Sequence, residues 1–152
     1  MELSTLLPQG AVLARLPVRD KKQALKQLAA FASKRANLPE REIYQVLMAR
    51  ENLGCTGMGG GVCIPHGRFE DLSAISAVLA TLEEPIDFGA ADGRPVDIIC
   101  LLLTPLEANT EHLKALAVLS RLLRDKEFCA KLRETKDSKE LYDTLLDRQL
   151  DT

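Results

Sequence analysis

The stretch "VDIICLLL", Val96 to Leu103, is the strongest single indication of how this chain folds. It is far shorter than the roughly 20 apolar residues of a membrane helix. The Asp92-Gly93 turn signal precedes it and Pro105 follows it, which favours a strand over a buried helix. A strand that is apolar at successive positions is typical of the centre of a sheet covered on both faces. We therefore expect Val96–Leu103 to be a central strand with other elements packed on each side.

Other regular elements are predicted on both sides of this strand. The predicted strands are Val12–Val18, Val62–Pro65 and Ala74–Leu82. One helix begins after Asp20, whose carboxylate can cap it, and Gln23 completes a capping box three residues later. A second helix begins at Pro39, and three more are predicted at Glu111–Arg124, Glu127–Glu134 and Ser138–Gln149. Strands and helices thus mix without repeats or linkers, so we expect residues 1–152 to form one α/β or α+β domain.

Composition excludes several classes of protein. The net charge is −2 and no basic face is evident, so nucleic acid is not an expected partner. No apolar run is long enough for insertion into a membrane, and the N-terminus lacks the pattern of a secretory signal. We therefore expect a cytoplasmic protein. The four cysteines form no CxxC pair, and disulfides are not expected in a reducing compartment.

The segment "GMGGGVCIPHGR", Gly57 to Arg68, is the first candidate for a functional site. Its glycines Gly57, Gly59, Gly60 and Gly61 can bring backbone N–H groups close to an anion, and Thr56 adds a hydroxyl at the entrance. The segment matches neither a Walker loop nor the GxGxxG fingerprint, so no nucleotide cofactor is predicted. A glycine cluster alone is more often a flexible turn than a phosphate site.

His66 is one of only two histidines and ends this segment. A neutral imidazole has a lone pair that can attack phosphorus, while its other nitrogen donates to a carbonyl and holds the tautomer. Pro65 would stiffen the backbone before it and Gly67 would leave the space beside it open. A turn residue, a metal ligand with Cys63, and a cysteine–histidine nucleophile are the alternatives, and the spacing is not typical of a zinc site.

His112 and Arg50 are the candidate partners of His66. His112 falls in the first turn of the helix after the central strand, with Asn109 or Thr110 as the expected N-cap. The field of a helix N-terminus disfavours imidazolium, so we expect a neutral N–H donor there. Arg50 lies on the inward face of its helix, from which its guanidinium can reach the glycine segment. Both residues also have a purely structural interpretation. His112 would be a polar residue at a helix start, and Arg50 would be an arginine that interacts favourably with a helix C-terminus.

The sequences "RENLGCTGMGGGVCIPHGR" and "EHLKALAVLSRLLRD", beginning at Arg50 and Glu111, together resemble a known family. They are similar to the enzyme IIA domains of the mannitol–fructose class of the bacterial phosphotransferase system, above all to the nitrogen-regulatory type. The resemblance covers about Val12 to Leu146 and implies a mixed five-stranded sheet with helices on both faces. One departure is Cys63, where the family pattern leads us to expect alanine.

The resemblance also implies a chemistry and a set of partners. His66 would accept a phosphoryl group on Nε2 from a phosphohistidine carrier protein, HPr or its nitrogen-branch relative NPr. His112 would be a supporting donor, and Arg50 would lie near the phosphoryl group. The nitrogen-regulatory type acts by binding regulated target proteins, whereas a sugar-transport member would pass the group to a IIB domain. A binding module without phosphoryl transfer is the third possibility. Met58 and Phe69 flank His66 and are candidates for the carrier-docking surface.

Overall fold

The computed structural model describes residues 2–150, in which helices cover a mixed sheet on both faces. The helices are α1 Leu3–Leu6, α2 Lys21–Ala36, α3 Glu40–Asn52, α4 Asn109–Arg124, α5 Lys126–Glu134 and α6 Ser138–Leu150, with a 3-10 turn at Gln9–Ala11. The strands are β1 Val12–Leu16, β2 Gly57–Gly59, β3 Val62–Cys63, β4 His66–Phe69, β5 Ser76–Ile86 and β6 Val96–Pro105. The prediction of a single domain extends to Met1, Asp151 and Thr152, which lie outside the described residues.

The strand predicted from "VDIICLLL" is the centre of the sheet. The strand order is β1-β5-β6-β3-β2, and β4 also pairs with β6. Strand β5 runs antiparallel to β6 along one of its edges. Strands β3 and β4 both run parallel to β6 along its other edge. The expected mixed sheet with helices on both faces is confirmed, but it has six strands and not five, because β3 and β4 are separate short strands along the same edge of β6.

Alternate side chains of β6 enter two separate apolar cores. Ile99, Leu101 and Leu103 pack with helices α2 and α3 on one face of the sheet. Ile98, Cys100 and Leu102 pack with the helices of the other face, mainly α4, α5 and α6. This alternation is what a strand with two covered faces requires, because its successive side chains point in opposite directions. The central position and the double covering of β6 are thus both confirmed.

The predicted strand Val62–Pro65 is interrupted. Strand β3 ends at Cys63 and β4 begins at His66, and both use successive stretches of β6 as their partner. Pro65 has no N–H to donate to the ladder, although its carbonyl accepts from the N–H of Leu102 at 3.0 Å. The break leaves the carbonyl of Ile64 free of the ladder and available to the side chain of His66.

Two helix starts follow the capping expectations. The Asp20 carboxylate accepts from the N–H of Gln23 at 2.8 Å, as expected for an N-cap. The Gln23 side chain reaches one residue further back than in a standard capping box and accepts from the N–H of Arg19 at 2.7 Å. Helix α3 begins directly after Pro39. No helix in residues 2–150 has the length and apolar content needed to cross a membrane.

Candidate functional site

The two histidines meet at the carboxyl end of β6. His66 opens β4 and pairs with Leu102, near the end of the central strand. His112 lies in the first turn of α4, the helix that follows the same strand. Their ring centroids are 5.6 Å apart and the ring planes are inclined by 57°. The structure therefore brings together two residues that lie 46 positions apart in the chain, as the sequence analysis expected.

The ring of His66 is oriented by the backbone immediately before it. Its Nδ1 lies 2.7 Å from the carbonyl oxygen of Ile64. A carbonyl can only accept, so Nδ1 carries the proton and the lone pair of the neutral ring lies on Nε2. The side chain is only partly buried. The arrangement has the features of a nucleophile with a fixed tautomer.

The ring of His112 is buried and neutral. Only 5% of its surface is exposed, and its Nδ1 lies 2.8 Å from the hydroxyl oxygen of Thr104. Burial lowers the pKa of His112, and the charge of Arg68 lowers it further, as does His66 whenever its ring is protonated. A depressed pKa keeps the imidazole uncharged near neutral pH, so it acts as a hydrogen-bonding group and not as a cation.

Thr104 holds the ring of His112 at the end of the central strand. Its hydroxyl donates to the carbonyl of Gly67 at 3.5 Å and lies 2.8 Å from Nδ1 of His112. A hydroxyl oxygen can accept one hydrogen bond while its proton is donated to another group, so this contact suits either tautomer of His112. The expected N–H donor on Nε2 of His112 stays a prediction. Sequence reasoning missed Thr104, although a lone polar residue at the end of an apolar strand was a usable signal.

The arginine that acts on the histidine pair is Arg68. Its guanidinium donates to the side-chain oxygen of Asn109 at the start of α4, and its charge lowers the pKa of His112. Arg50 instead donates from Nη1 to the carbonyl of Gly54 at 3.0 Å. Within residues 2–150 Arg50 has no hydrogen bond to either histidine, so its role at a phosphoryl group stays a prediction.

The expected N-cap of α4 is wrong. The N-cap is Ala108, which offers no side-chain acceptor, and Asn109 is already the first helical residue. Asn109 is not available for capping because its side-chain oxygen accepts from Arg68. The N–H of His112 is bonded to the Ala108 carbonyl at 2.8 Å, so His112 still lies in the first turn, as predicted.

The glycine segment forms a hairpin, and its tip points away from His66. The carbonyl of Gly61 accepts from Asp97 and Ile98 at 3.0 and 3.1 Å, at the amino end of β6. His66 pairs four residues further along β6, which is about 13 Å at the rise of a strand. The N–H of Gly60 already donates to the carboxylate of Asp92 at 3.0 Å.

This direction corrects the expected phosphate cradle. Because β3 runs parallel to β6, the turn that precedes it must lie at the opposite end of the sheet from His66. The structure therefore does not bring Gly59, Gly60 or Gly61 next to His66. Thr56 and Gly57 lie at the open end of the hairpin, where the Thr56 carbonyl accepts from the N–H of Ile64 at 3.2 Å. A role for these two residues stays a prediction.

Glu51 is a buried charge that sequence reasoning missed. Its side chain is 0% exposed and pairs with Lys21 through Nζ at 2.9 Å. The hydroxyl of Thr56 donates to its carboxylate, and the N–H of Thr56 lies 3.4 Å from the other oxygen. The Thr56 hydroxyl that was expected to face a phosphate is therefore engaged with Glu51. These contacts hold the start of the hairpin against helices α2 and α3.

Gly67 allows close packing against helix α3 and does not leave open space beside His66. A Cβ atom at this position would lie 2.6 Å from Cγ1 of Val46, closer than two carbons can approach. The expectation that Gly67 leaves room beside His66 is wrong, because α3 fills that room. The glycine is required so that β4 can lie directly against the helix.

The structure brings potential metal ligands together, but not at the Cys63–His66 pair that the sequence suggested. In the part of the chain that the structure describes, the one group of three ligands is Glu51, Cys55 and Cys63, whose ligand atoms lie within 4.8 Å of one another. Neither histidine belongs to it, so the Cys63–His66 zinc alternative is not supported. The Glu51 carboxylate is already bonded to Lys21 and Thr56.

Comparison with known proteins identifies the family. Residues 5–148 match the family model described as phosphoenolpyruvate-dependent sugar phosphotransferase system, EIIA 2. A nitrogen regulatory protein of Bradyrhizobium diazoefficiens is 46% identical over 145 residues, covering 95% of each chain. The crystal structure of nitrogen regulatory protein IIA-Ntr from Neisseria meningitidis is similar with a TM-score of 0.88 and 31% identity, covering 94% of this chain and 98% of that one.

A more distant relative shares the fold. The crystal structure of IIA mannitol from Escherichia coli has a TM-score of 0.77 at 19% identity, and the match covers 91% of this chain and 98% of that one. The match to the family model spans the positions of both histidines, and the nitrogen regulatory relative also covers nearly the whole chain. This chain therefore belongs to the EIIA type 2 family of the phosphoenolpyruvate-dependent phosphotransferase system and is a homologue of its nitrogen regulatory members.

Proposed function

We propose that this chain is a phosphocarrier that accepts a phosphoryl group on Nε2 of His66 from a phosphohistidine carrier protein, HPr or NPr. We further propose that its phosphorylation state regulates partner proteins. The observation that carries the proposal is the bond between Nδ1 of His66 and the Ile64 carbonyl, which leaves Nε2 with its lone pair. Its cytoplasmic location and its extent as one domain over residues 1–152 are parts of the same proposal.

In the proposed step, the N–P bond of the donor phosphohistidine breaks while a bond forms between Nε2 of His66 and phosphorus. Such transfers depend mainly on alignment and on stabilising charge at the equatorial oxygens. In this proposal Nδ1 of His112 accepts from Thr104, so the neutral ring carries its proton on Nε2 and supplies one donor beside those oxygens. Arg68 supplies positive charge at the same end of the sheet, and Arg50 remains a further candidate.

The carrier protein needs an apolar surface near His66. Leu113, which follows His112, is 65% exposed, and Leu106 is 51% exposed just beyond β6. Large exposed leucines beside a polar site are typical of protein contact surfaces. Phe69 is a core residue and Met58 packs at the hairpin, so the leucines are better docking candidates than the two residues considered from the sequence.

The function is tested by reconstitution. The purified chain is incubated with phosphoenolpyruvate, enzyme I and HPr or NPr, and acid-labile, base-stable phosphate is measured on the chain and mapped by mass spectrometry. We expect one phosphoryl group, located on His66. Labelling at His112 or at a hydroxyl residue, or no labelling by either carrier, would contradict the proposal.

A matched variant tests the role of Thr104. Thr104→Val keeps the shape of the side chain but removes the hydroxyl that orients His112, so its ring can take either tautomer. We expect transfer to His66 to slow about 10-fold, in line with the loss of a positioning hydrogen bond. His112→Ala should slow transfer at least as much, and the double variant no more than His112→Ala alone. If the losses in transfer rate of the two single variants add in the double variant, Thr104 does not act through His112.

The sugar-transport alternative differs in the acceptor. The likeness to IIA mannitol in fold makes it a specific candidate. Mixing the phosphorylated chain with purified fructose- and mannitol-type IIB domains tests it, because a transport IIA would lose its label to one of them. A module without turnover would instead bind its partner equally well before and after labelling. For the regulatory role we expect a changed affinity and retention of the label in the presence of IIB.

A further inference from the structure

Two thiols lie on either side of the hairpin that precedes His66. Cys55 stands just before β2 and Cys63 ends β3, and their sulfur atoms are within 4.8 Å of each other. Both are free thiols. The phosphocarrier function uses neither sulfur, so the pair calls for a separate explanation.

A metal ion is the less favoured explanation for this pair. Glu51 completes a group of three potential ligands, but its carboxylate already binds the Lys21 ammonium at 2.9 Å and the Thr56 hydroxyl. That leaves two thiols, whereas structural zinc sites use four protein ligands. The two sulfurs lie within 4.8 Å of each other, which favours a disulfide between them over a metal site.

The two thiols differ in access. Cys55 is partly exposed and lies in the irregular segment between α3 and β2, so a small molecule can reach it from solvent. Cys63 is fully buried, and burial raises the pKa of its thiol well above the ordinary value. A small oxidant therefore reaches Cys55 first, and Cys63 remains a protonated thiol beside it.

We propose that Cys55 and Cys63 form a reversible disulfide in response to peroxide, and that this bond regulates phosphoryl transfer to His66. Peroxide oxidises Cys55 to a sulfenic acid and is itself reduced to water. The Cys63 sulfur then attacks the Cys55 sulfur, and the departing hydroxyl leaves with the Cys63 thiol proton as a second water. A dithiol reductant reverses the reaction. The sulfurs must close from at most 4.8 Å to the roughly 2.05 Å of a disulfide, which requires the Cys55 segment to shift.

Hydrogen bonds connect this pair to the nucleophile. Thr56, next to Cys55, accepts through its carbonyl from the N–H of Ile64 at 3.2 Å. The carbonyl of the same Ile64 holds Nδ1 of His66 at 2.7 Å. The Cys63 thiol also donates to the Thr56 hydroxyl at 3.1 Å, because that hydroxyl gives its own hydrogen to Glu51. A disulfide displaces the segment that contains Thr56, so it disturbs the Ile64 carbonyl that sets the His66 tautomer.

The test first asks whether the bond forms. The full chain is treated with hydrogen peroxide, its remaining thiols are blocked, and peptides are mapped by mass spectrometry before and after dithiothreitol. We expect a Cys55–Cys63 linkage that dithiothreitol removes. Cys63→Ala and Cys55→Ser should abolish it, whereas Cys100→Ala, which removes an equally buried thiol, should leave it unchanged. No linkage, or one through Cys100 or Cys129, would overturn the proposal.

The second measurement is the rate of phosphoryl transfer, and this part rests on the proposed function. We expect the oxidised chain to accept the group about 10-fold more slowly and to recover with dithiothreitol, because misplacing a reacting atom carries losses of at least this order. Reduced Cys63→Ala should transfer at the parent rate and be insensitive to peroxide. If the Cys55–Cys63 disulfide forms but the rate of phosphoryl transfer does not change, the proposed regulation is wrong. If the reduced parent is never labelled, the proposed function fails, while peptide mapping still decides the disulfide.

Discussion

Replacing His66 with alanine is expected to abolish acid-labile phosphorylation of this chain. The substitution removes the imidazole nitrogen that the Ile64 contact leaves with its lone pair, on a side chain that is only partly buried. We do not expect His112 to take over, because only 5% of its surface is exposed. We therefore expect loss of at least 1000-fold in labelling rate, on the order of what removing a reacting nucleophile costs. Single-turnover labelling with phosphorylated HPr or NPr measures it.

The fold of the His66 variant should remain intact. The side chain is only partly buried, and its single hydrogen bond in residues 2–150 is to the carbonyl of Ile64. A change in the free energy of unfolding of about 1 kcal/mol or less is expected. His66→Gln is the matched control, because it keeps a polar side chain that can bond to the same carbonyl but has no imidazole. Residual labelling of either variant at the parent rate would exclude His66 as the acceptor.

Replacing Glu51 with alanine is expected to destabilise the protein much more than removing an exposed glutamate from the same helix. The carboxylate is fully buried between Lys21 and Thr56, and its loss leaves the N–H and hydroxyl of Thr56 without their acceptor. Unpaired buried polar groups and broken buried ion pairs each cost a few kcal/mol. Lys21 is 25% exposed and can turn partly towards water, so we expect a net loss of about 3 kcal/mol.

Urea unfolding of Glu51→Ala, followed by circular dichroism, measures this loss directly. Glu40→Ala provides the control, because Glu40 is exposed at the start of the same helix and should change stability by about 0.5 kcal/mol or less. Glu51→Gln keeps an oxygen acceptor for Thr56 and should lose less than Glu51→Ala. Equal stabilities for Glu51→Ala and Glu40→Ala would mean that the buried pair contributes nothing.

The parts of the fold that depend on local pattern were predictable. The apolar run at Val96–Leu103 indicated a doubly covered central strand, because burial on both faces leaves a continuous apolar signature. Capping chemistry placed the starts of α2 and α3 within a residue or two. The interruption at Pro65 was less visible, since its cause lies in the ladder that a proline cannot join.

The site was predictable in its nucleophile and its partner, but not in its surroundings. The motif around His66 and the helix start at His112 are local and carry a family resemblance, so both could be named from the chain alone. Which way the glycine hairpin points depends on the parallel pairing of β3 with β6, which no local pattern encodes. The same holds for Thr104 and Arg68, whose importance appears only once β6 and α4 place them beside His112.

The amino-acid sequence alone was sufficient for the fold class, the central strand, the likeness to enzyme IIA domains, and the two histidines of the site. These features follow from periodicity, capping and motif, which are properties of neighbouring residues. The direction of the glycine hairpin, the buried Glu51, the packing of Gly67 against Val46 and the meeting of Cys55 with Cys63 required the folded chain. They depend on contacts between different helices and strands. Such contacts form only when the sheet and its two helical layers pack together.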